Sequence, residues 1–150
     1  MKLSLFNNEL ISAVSIYSVL NYLESISISK ALLIFPFVSH KETLDFLKNK
    51  RTKIRSLEEF IIKRPHFFSN FNERYYSFLT LSINSLILLS ELTFIFIDDS
   101  KLFLNSNIKI NISKNEFGDR AFDVFKAAPK LARILNDKDE NLYLQLRVEL

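Results

Sequence analysis

Apolar positions recur at helical spacing through the first part of the chain. Leu10, Ile11, Val14, Ile16, Tyr17, Leu20 and Leu23 follow the i, i+3, i+4, i+7 rule, which predicts an amphipathic helix from Leu5 to Ile26 with Asn7 or Asn8 as its cap. A polar connector, SISISK, leads into Ala31–Val38, a run too apolar for a surface face and therefore predicted as a buried helix. Pro36 ends or kinks that helix, because proline removes a backbone donor and crowds the preceding turn. Ser39 or His40 then opens a short helix over Lys41–Lys48, with Leu44, Phe46 and Leu47 inward.

Ser56 followed three residues later by Glu59 is a capping box, so a helix is expected from Leu57 to about Lys63. Pro65 suits the first position of the next, Pro65 to about Leu79, in which Phe68, Phe71, Tyr75 and Phe78 recur every three or four residues. Phe67, Asn72 and Tyr76 fall off that stripe and allow a second face. A further helix runs from Thr80 through Leu81, Ile83, Leu86, Ile87 and Leu89 to about Glu91.

There the period changes. Leu92–Ile97 and Lys101–Asn105 read as two strands joined by Asp98, Asp99 and Ser100. A polar loop follows, in which Asn107–Ile112 alternates and could add a third strand. Asp119 is expected to cap a long helix from Arg120 to about Asn136, kinked or split at Pro129, with one or two more turns at Glu140–Leu146. The expected fold is mainly α with a small β-hairpin, an α+β domain of winged-helix-like arrangement. It is laid out as one domain over 1–150: helical core 5–91, hairpin 92–105, polar loop 106–118 and C-terminal helices 119–146.

Composition narrows the chemistry. With 48% hydrophobic residues and 15 Phe in 150 residues, the chain can bury a core. It has no Cys, which removes disulfides, thiolate nucleophiles and Cys-ligated metal sites. Only Lys2 could serve as a basic n-region, and Asn7, Asn8 and Glu9 occupy the place of a signal peptide's apolar core. Leu81–Ile97, the most apolar stretch, is interrupted by Ser82, Asn84, Ser85, Ser90 and Glu91, short of the roughly 20 apolar residues a membrane span needs. The expected location is cytoplasmic.

Gly118 is the only glycine, so no Walker A loop, dinucleotide-binding turn or nucleophile elbow can form. The two histidines, His40 and His66, lack metal-ligand spacing, and His40 reads as a capping or packing residue. The acid pairs Glu58–Glu59 and Asp98–Asp99 read as first-turn charge and turn chemistry, not as catalytic dyads. No catalytic, cofactor-binding or metal-binding residue is assigned, and a non-enzymatic protein is expected.

One charge concentration stands out in a chain whose formal net charge is only +3. Lys48, Lys50, Arg51, Lys53 and Arg55 fall in eight residues without an acid. They could contact nucleic-acid phosphates or an acidic partner. The aromatic set from Pro65 to Phe78 reads as core that extends toward a partner-binding surface.

The segments LFNNELIS, ALLIFPFVSHKETLDFL, RSLEEFIIKRPHFFSNFNERYYSFLTLSINSLILLSE and AFDVFKAAPKLARIL resemble, in order, the middle component of bacterial three-component ABC systems, including the Lamassu-type defence subunit. Leu5-Phe6-Asn7 matches the family's opening L-F-N-P-A, with Asn8 in place of proline. Pro36, His40, Lys41 and Thr43 match its L-P-L-V-L-H-K-x-T-R, with Leu44 in place of the final base. Arg64-Pro65, Phe71 and Arg74 match a third motif, Ala132 replaces a late glycine, and Phe60 lies near the family's tryptophan in a chain without Trp.

The resemblance implies a non-catalytic subunit that binds an SMC-like ABC ATPase and helps hold an effector, often a nuclease, in a complex that responds to phage or plasmid DNA. Phe35, Pro36, His40, Lys41, Thr43, Phe67 and Tyr76 are the expected subunit-contact residues. No cofactor and no membrane are implied. The alternative reading is a free winged-helix-like DNA-binding regulator that uses residues 48–55.

Overall fold

The computed structural model describes the backbone of residues 2–150 and the side chains of residues 8–150. Helix α1 spans Lys2–Leu20, so it starts ahead of both expected caps. The Asn7 side chain and the motif match at Leu5-Phe6-Asn7 lie outside the described side chains. Asn8 Oδ1 instead accepts from Arg120 Nη1 at 3.0 Å.

α1 stops at Leu20 and not at Ile26. Asn21 Nδ2 folds back onto Tyr17 O at 3.0 Å, and the alternating Ser25–Ile26–Ser27 then takes a strand, β1 (Ser25–Ser27). Part of the expected connector thus belongs to a sheet. Ser27 also caps α2 (Ile28–Val38), its Oγ accepting from Lys30 N at 3.1 Å. Helix α3 (Lys41–Lys48) and helix α4 (Leu57–Lys63) have the expected bounds, the latter capped by Ser56 Oγ, which accepts from Glu59 N at 3.1 Å.

The helix expected over Pro65–Leu79 is broken. Pro65–Phe68 forms a 3-10 turn, the chain bends at Ser69–Asn70, and α5 resumes at Phe71–Ser77. The Phe67 carbonyl that would continue the helix accepts from the Arg74 guanidinium at 3.1 Å. Helix α6 (Leu79–Glu91) turns Ser82, Ser85, Leu86 and Leu89 inward and leaves Ile83 and Ile87 exposed.

Strands β2 (Ile95–Asp98) and β3 (Lys101–Leu104) form the hairpin. Its turn is Asp99–Ser100, both at positive φ (50° and 61°), while Asp98 pairs with Lys101 inside the ladder. Two successive positive φ values make the primed turn whose twist suits a two-residue hairpin. The antiparallel sheet has the order β1-β3-β2, with Ile26 opposite Leu102 and Leu102 opposite Ile97. Residues 107–112 are not its third strand. β3 already has a neighbour on each side, and the Ile110 amide donates to Tyr17 Oη at 3.1 Å, which lays the loop along α1.

The loop ends in a short helix, α7 (Lys114–Phe117), whose N-terminus is capped by Ser113. Gly118, at φ 89° and ψ 174°, joins it to α8 (Asp119–Ile134), a conformation open essentially to glycine alone. Asp119 is therefore the first residue of α8 and makes no capping bond. Pro129 does not split α8, since its exposed side leaves Ala127, Ala128, Leu131 and Ala132 to face the core. Helix α9 (Asp139–Leu146) closes the fold.

α1 packs against both α6 and α8. Its fully buried Ser12, Ser15 and Ser18, with Ser82 and Ser85 of α6 and the α8 alanines, let the backbones approach closely. Ser85 Oγ donates to Glu9 O at 3.2 Å across that seam. On the far side of α2 lies an aromatic core of Phe35, Phe37, Phe60 and Phe71, all fully buried.

Candidate functional site

The motif residues of α2, α3 and α5 converge on one junction. α2 ends at Val38, so its last carbonyls have no intrahelical donor. Ser39 N donates to Phe35 O at 2.8 Å, and Pro36 O accepts from Ser39 Oγ at 3.2 Å and from Arg74 Nε at 3.0 Å. The same guanidinium donates to Phe67 O and to Asn70 Oδ1 and lies 5.1 Å from the centre of the Phe71 ring. A cation at a helix C-terminus also suits the helix dipole. Burial pulls Arg74 down to about 10, a cost eased by nearby Glu73.

His40 caps α3. Its Nδ1 accepts from Thr43 N at 3.3 Å and lies 2.8 Å from Thr43 Oγ1, so the neutral ring carries its proton on Nε2. The ring packs 5.7 Å from Phe67. Burial holds the imidazole below its ordinary 6.5, Arg74 and His66 push the same way, and Glu42 opposes them.

The unfolded chain therefore protonates first as the pH falls. The stability supplied by the neutral ring is complete above about 6.5 and is lost as pH drops through that value toward the lower value of the folded state. An asparagine in place of His40 would cap without titrating. Urea midpoints of wild type and His40→Asn should thus diverge between about pH 7 and 5 in favour of the variant, and His40→Ala should cost about 1 kcal/mol at neutral pH. A difference between wild type and His40→Asn that stays flat with pH contradicts this role.

Of the expected subunit-contact residues, Phe35, Pro36, Thr43 and Phe67 are buried within the chain itself. Lys41 and Tyr76 are exposed and His40 is partly so. The second face of α5 carries the end of the chain: Asn72 Oδ1 accepts from Glu149 N at 2.9 Å, and Tyr76 Oη donates to Glu149 O.

The cations of the basic segment differ in their ion pairing. Lys48 pairs with Asp45 at 3.3 Å and Asp123 at 3.2 Å, and these carboxylates push its ammonium above the usual value. The buried Ile54 pins the loop. Among the described residues Lys50, Arg51, Lys53 and Arg55 make no ion pair, and all four are exposed.

Two features were not legible in the sequence. Lys48 and Lys50 form one wall of a cleft of about 420 Å³ whose other wall is α8, through Lys126, Lys130 and Arg133. The α8 cations, spaced at i, i+4 and i+7, gave a signal that only the placement of α3 beside α8 makes meaningful. The second feature is exposed apolar surface. Ile83 and Ile87 share one face of α6, and Phe96 lies opposite Phe103 on the outer face of the sheet, at 43, 50, 53 and 38% exposure.

Among the described residues no group of three or more His, Cys, Asp or Glu could hold a metal ion, and no helix is long and apolar enough to cross a membrane. A family model described as ABC-three component (ABC-3C) system Middle Component 3 matches residues 8–150. No curated protein and no solved structure matches the chain.

Proposed function

This chain belongs to the Middle Component 3 family of ABC-three component systems, and on that premise we propose that it is a non-catalytic subunit that binds an SMC-like ABC ATPase and helps hold an effector. In this reading the assembly is an anti-phage or anti-plasmid complex of Lamassu type, in which the effector is often a nuclease.

The observation that carries the proposal is the solvent-facing apolar set on α6 and the sheet. Ile83, Ile87, Leu92, Phe96 and Ile97 are each more than two-fifths exposed. Ile83 and Ile87 share one face of α6 and Phe96 lies beside Phe103 on the sheet, and large apolar side chains paired on a folded surface mark protein contacts. The chain's fully buried Phe side chains satisfy the core without them, which leaves this set for a partner.

Co-expression with the ABC ATPase and the effector encoded beside it tests the assignment. The ATPase should co-purify with the tagged chain, and the effector should drop out when the chain is omitted. Ile83→Lys with Ile87→Lys should lower ATPase capture at least about tenfold, the loss of roughly 1.4 kcal/mol of binding, with the melting temperature little changed. An ATPase that never co-purifies with the wild-type chain refutes the proposal.

A further inference from the structure

The cleft between α3 and α8 holds more positive charge than the fold uses. Lys130 is occupied by the fold itself, since its Nζ donates to Leu47 O at 3.3 Å and to Asn49 O at 2.5 Å and so closes the C-terminus of α3. Lys48 and Lys126 share one carboxylate, Asp123, at 3.2 and 3.4 Å, and Lys48 also has Asp45. Neither Lys50 nor Arg133 has an ion-pair partner among the described residues, although both line the same cleft.

Arg133 lies near enough to Lys130 to depress its ammonium, after the larger effect of burial. Like charges crowded in a concave wall raise the local potential and favour an anion that enters it. No acidic side chain lines the cleft.

The rest of the lining is aromatic and apolar. Tyr22 stands at the rim, 48% exposed, and Phe125 lies half-buried at the wall. A cationic groove with an exposed ring fits a chain that offers phosphates and flat bases alternately. An acidic polypeptide would use the cations and leave the ring idle. A duplex keeps its bases stacked inside and cannot offer one to Tyr22. Arg51, Lys53 and Arg55, which follow Lys50 in the chain, are exposed as well.

We propose that this cleft binds single-stranded nucleic acid, with Lys50 and Arg133 on backbone phosphates and the Tyr22 ring under a base. The proposal does not depend on the subunit role proposed above, since it concerns the isolated chain.

The probe is a fluorescently labelled oligothymidylate titrated with the full chain and followed by anisotropy over a series of salt concentrations. Wild type should bind, with log K falling linearly against log salt. Lys50→Ala with Arg133→Ala should weaken binding at least about tenfold and make the slope shallower by about 1.4, two phosphates at about 0.7 each for a single strand. Tyr22→Ala should weaken binding about 5- to 100-fold with the slope retained, and Tyr22→Phe should restore it. All three positions are solvent-exposed, so thermal melts of the variants should match wild type. The proposal fails if the oligonucleotide does not bind at low salt. It fails equally if Tyr22→Ala binds as well as wild type, if duplex DNA of the same length binds as tightly, or if polyglutamate displaces the strand at equal charge concentration.

Discussion

Arg74→Met should remove about 2–4 kcal/mol of folding stability, a large share of the roughly 5–15 kcal/mol typical of a domain. Arg74 is 9% exposed, and its guanidinium spans three acceptors on two elements: Pro36 O at the end of α2, and Phe67 O and Asn70 Oδ1 at the break before α5. Methionine fills the space and donates nothing. Phe67 O would lose its donor in the interior, Pro36 O would keep only Ser39 Oγ, and the contact over Phe71 would go. Relief of the buried charge recovers part of this, which is why the expected loss stops short of the sum. Arg74→Lys should fail to rescue, because one ammonium cannot reach acceptors that the planar fork meets at once. Chemical denaturation decides it: a loss below about 1 kcal/mol for Arg74→Met means that the junction is held by apolar packing alone.

Much of the helical layout can be read from the residues because local rules and tertiary packing agree there. Ser56 and Glu59 make a capping box that needs nothing beyond their own turn, and α4 has the bounds expected of it. α3 likewise follows from His40 and the inward Leu44 and Leu47. Disagreements arise where a distant partner decides. Ser25–Ser27 is a strand because β3 lies beside it. The α5 helix is late because Arg74 draws the Phe67 carbonyl away from the helix that the aromatic spacing predicts. Residues 107–112 alternate as a strand should, yet Tyr17 and not a sheet edge takes their backbone. Period alone cannot say which partner a segment will find.

The site divides in the same way. The family motif is visible as residues, and the structure supplies its physical sense: Pro36, His40, Thr43 and Arg74 belong to one junction that ends α2 and starts α3. Charge density picks out Lys48–Arg55, but it cannot show that Asp45 and Asp123 occupy Lys48 or that α8 brings Lys126 and Arg133 opposite Lys50. Such pairings span about 75 residues of sequence, as Lys48 to Asp123 does. Ile83 and Ile87 look like core residues by composition. Serines at 82 and 85 take the inward face because α1 comes too close for larger side chains.

Phe60→Ala should be the most damaging single truncation, at about 3–5 kcal/mol. Phe60 is fully buried and stacks on Phe46 at 5.1 Å, with Phe68 edge-on at 4.9 Å and Phe67 at 6.0 Å. Its removal strips three ring contacts and leaves a cavity that the surrounding rings cannot close without leaving their own neighbours. The loss reaches further because α4 has only seven residues, well below the length at which a helix holds by itself. Leu57 and Phe60 are its buried side chains, with Ile61 partly buried beside them. With Phe60 truncated, amide exchange should therefore rise first across α4 and the preceding loop, from about Ile54 to Lys63. Phe60→Leu should cost roughly half as much, since it refills part of the cavity. Phe60→Trp, the residue type the family pattern places nearby, should still cost about 1–3 kcal/mol, because this fully buried position has no spare room for the larger ring. If Phe60→Ala costs less than about 2 kcal/mol and exchange across α4 is unchanged, the helix is anchored by something other than the aromatic core.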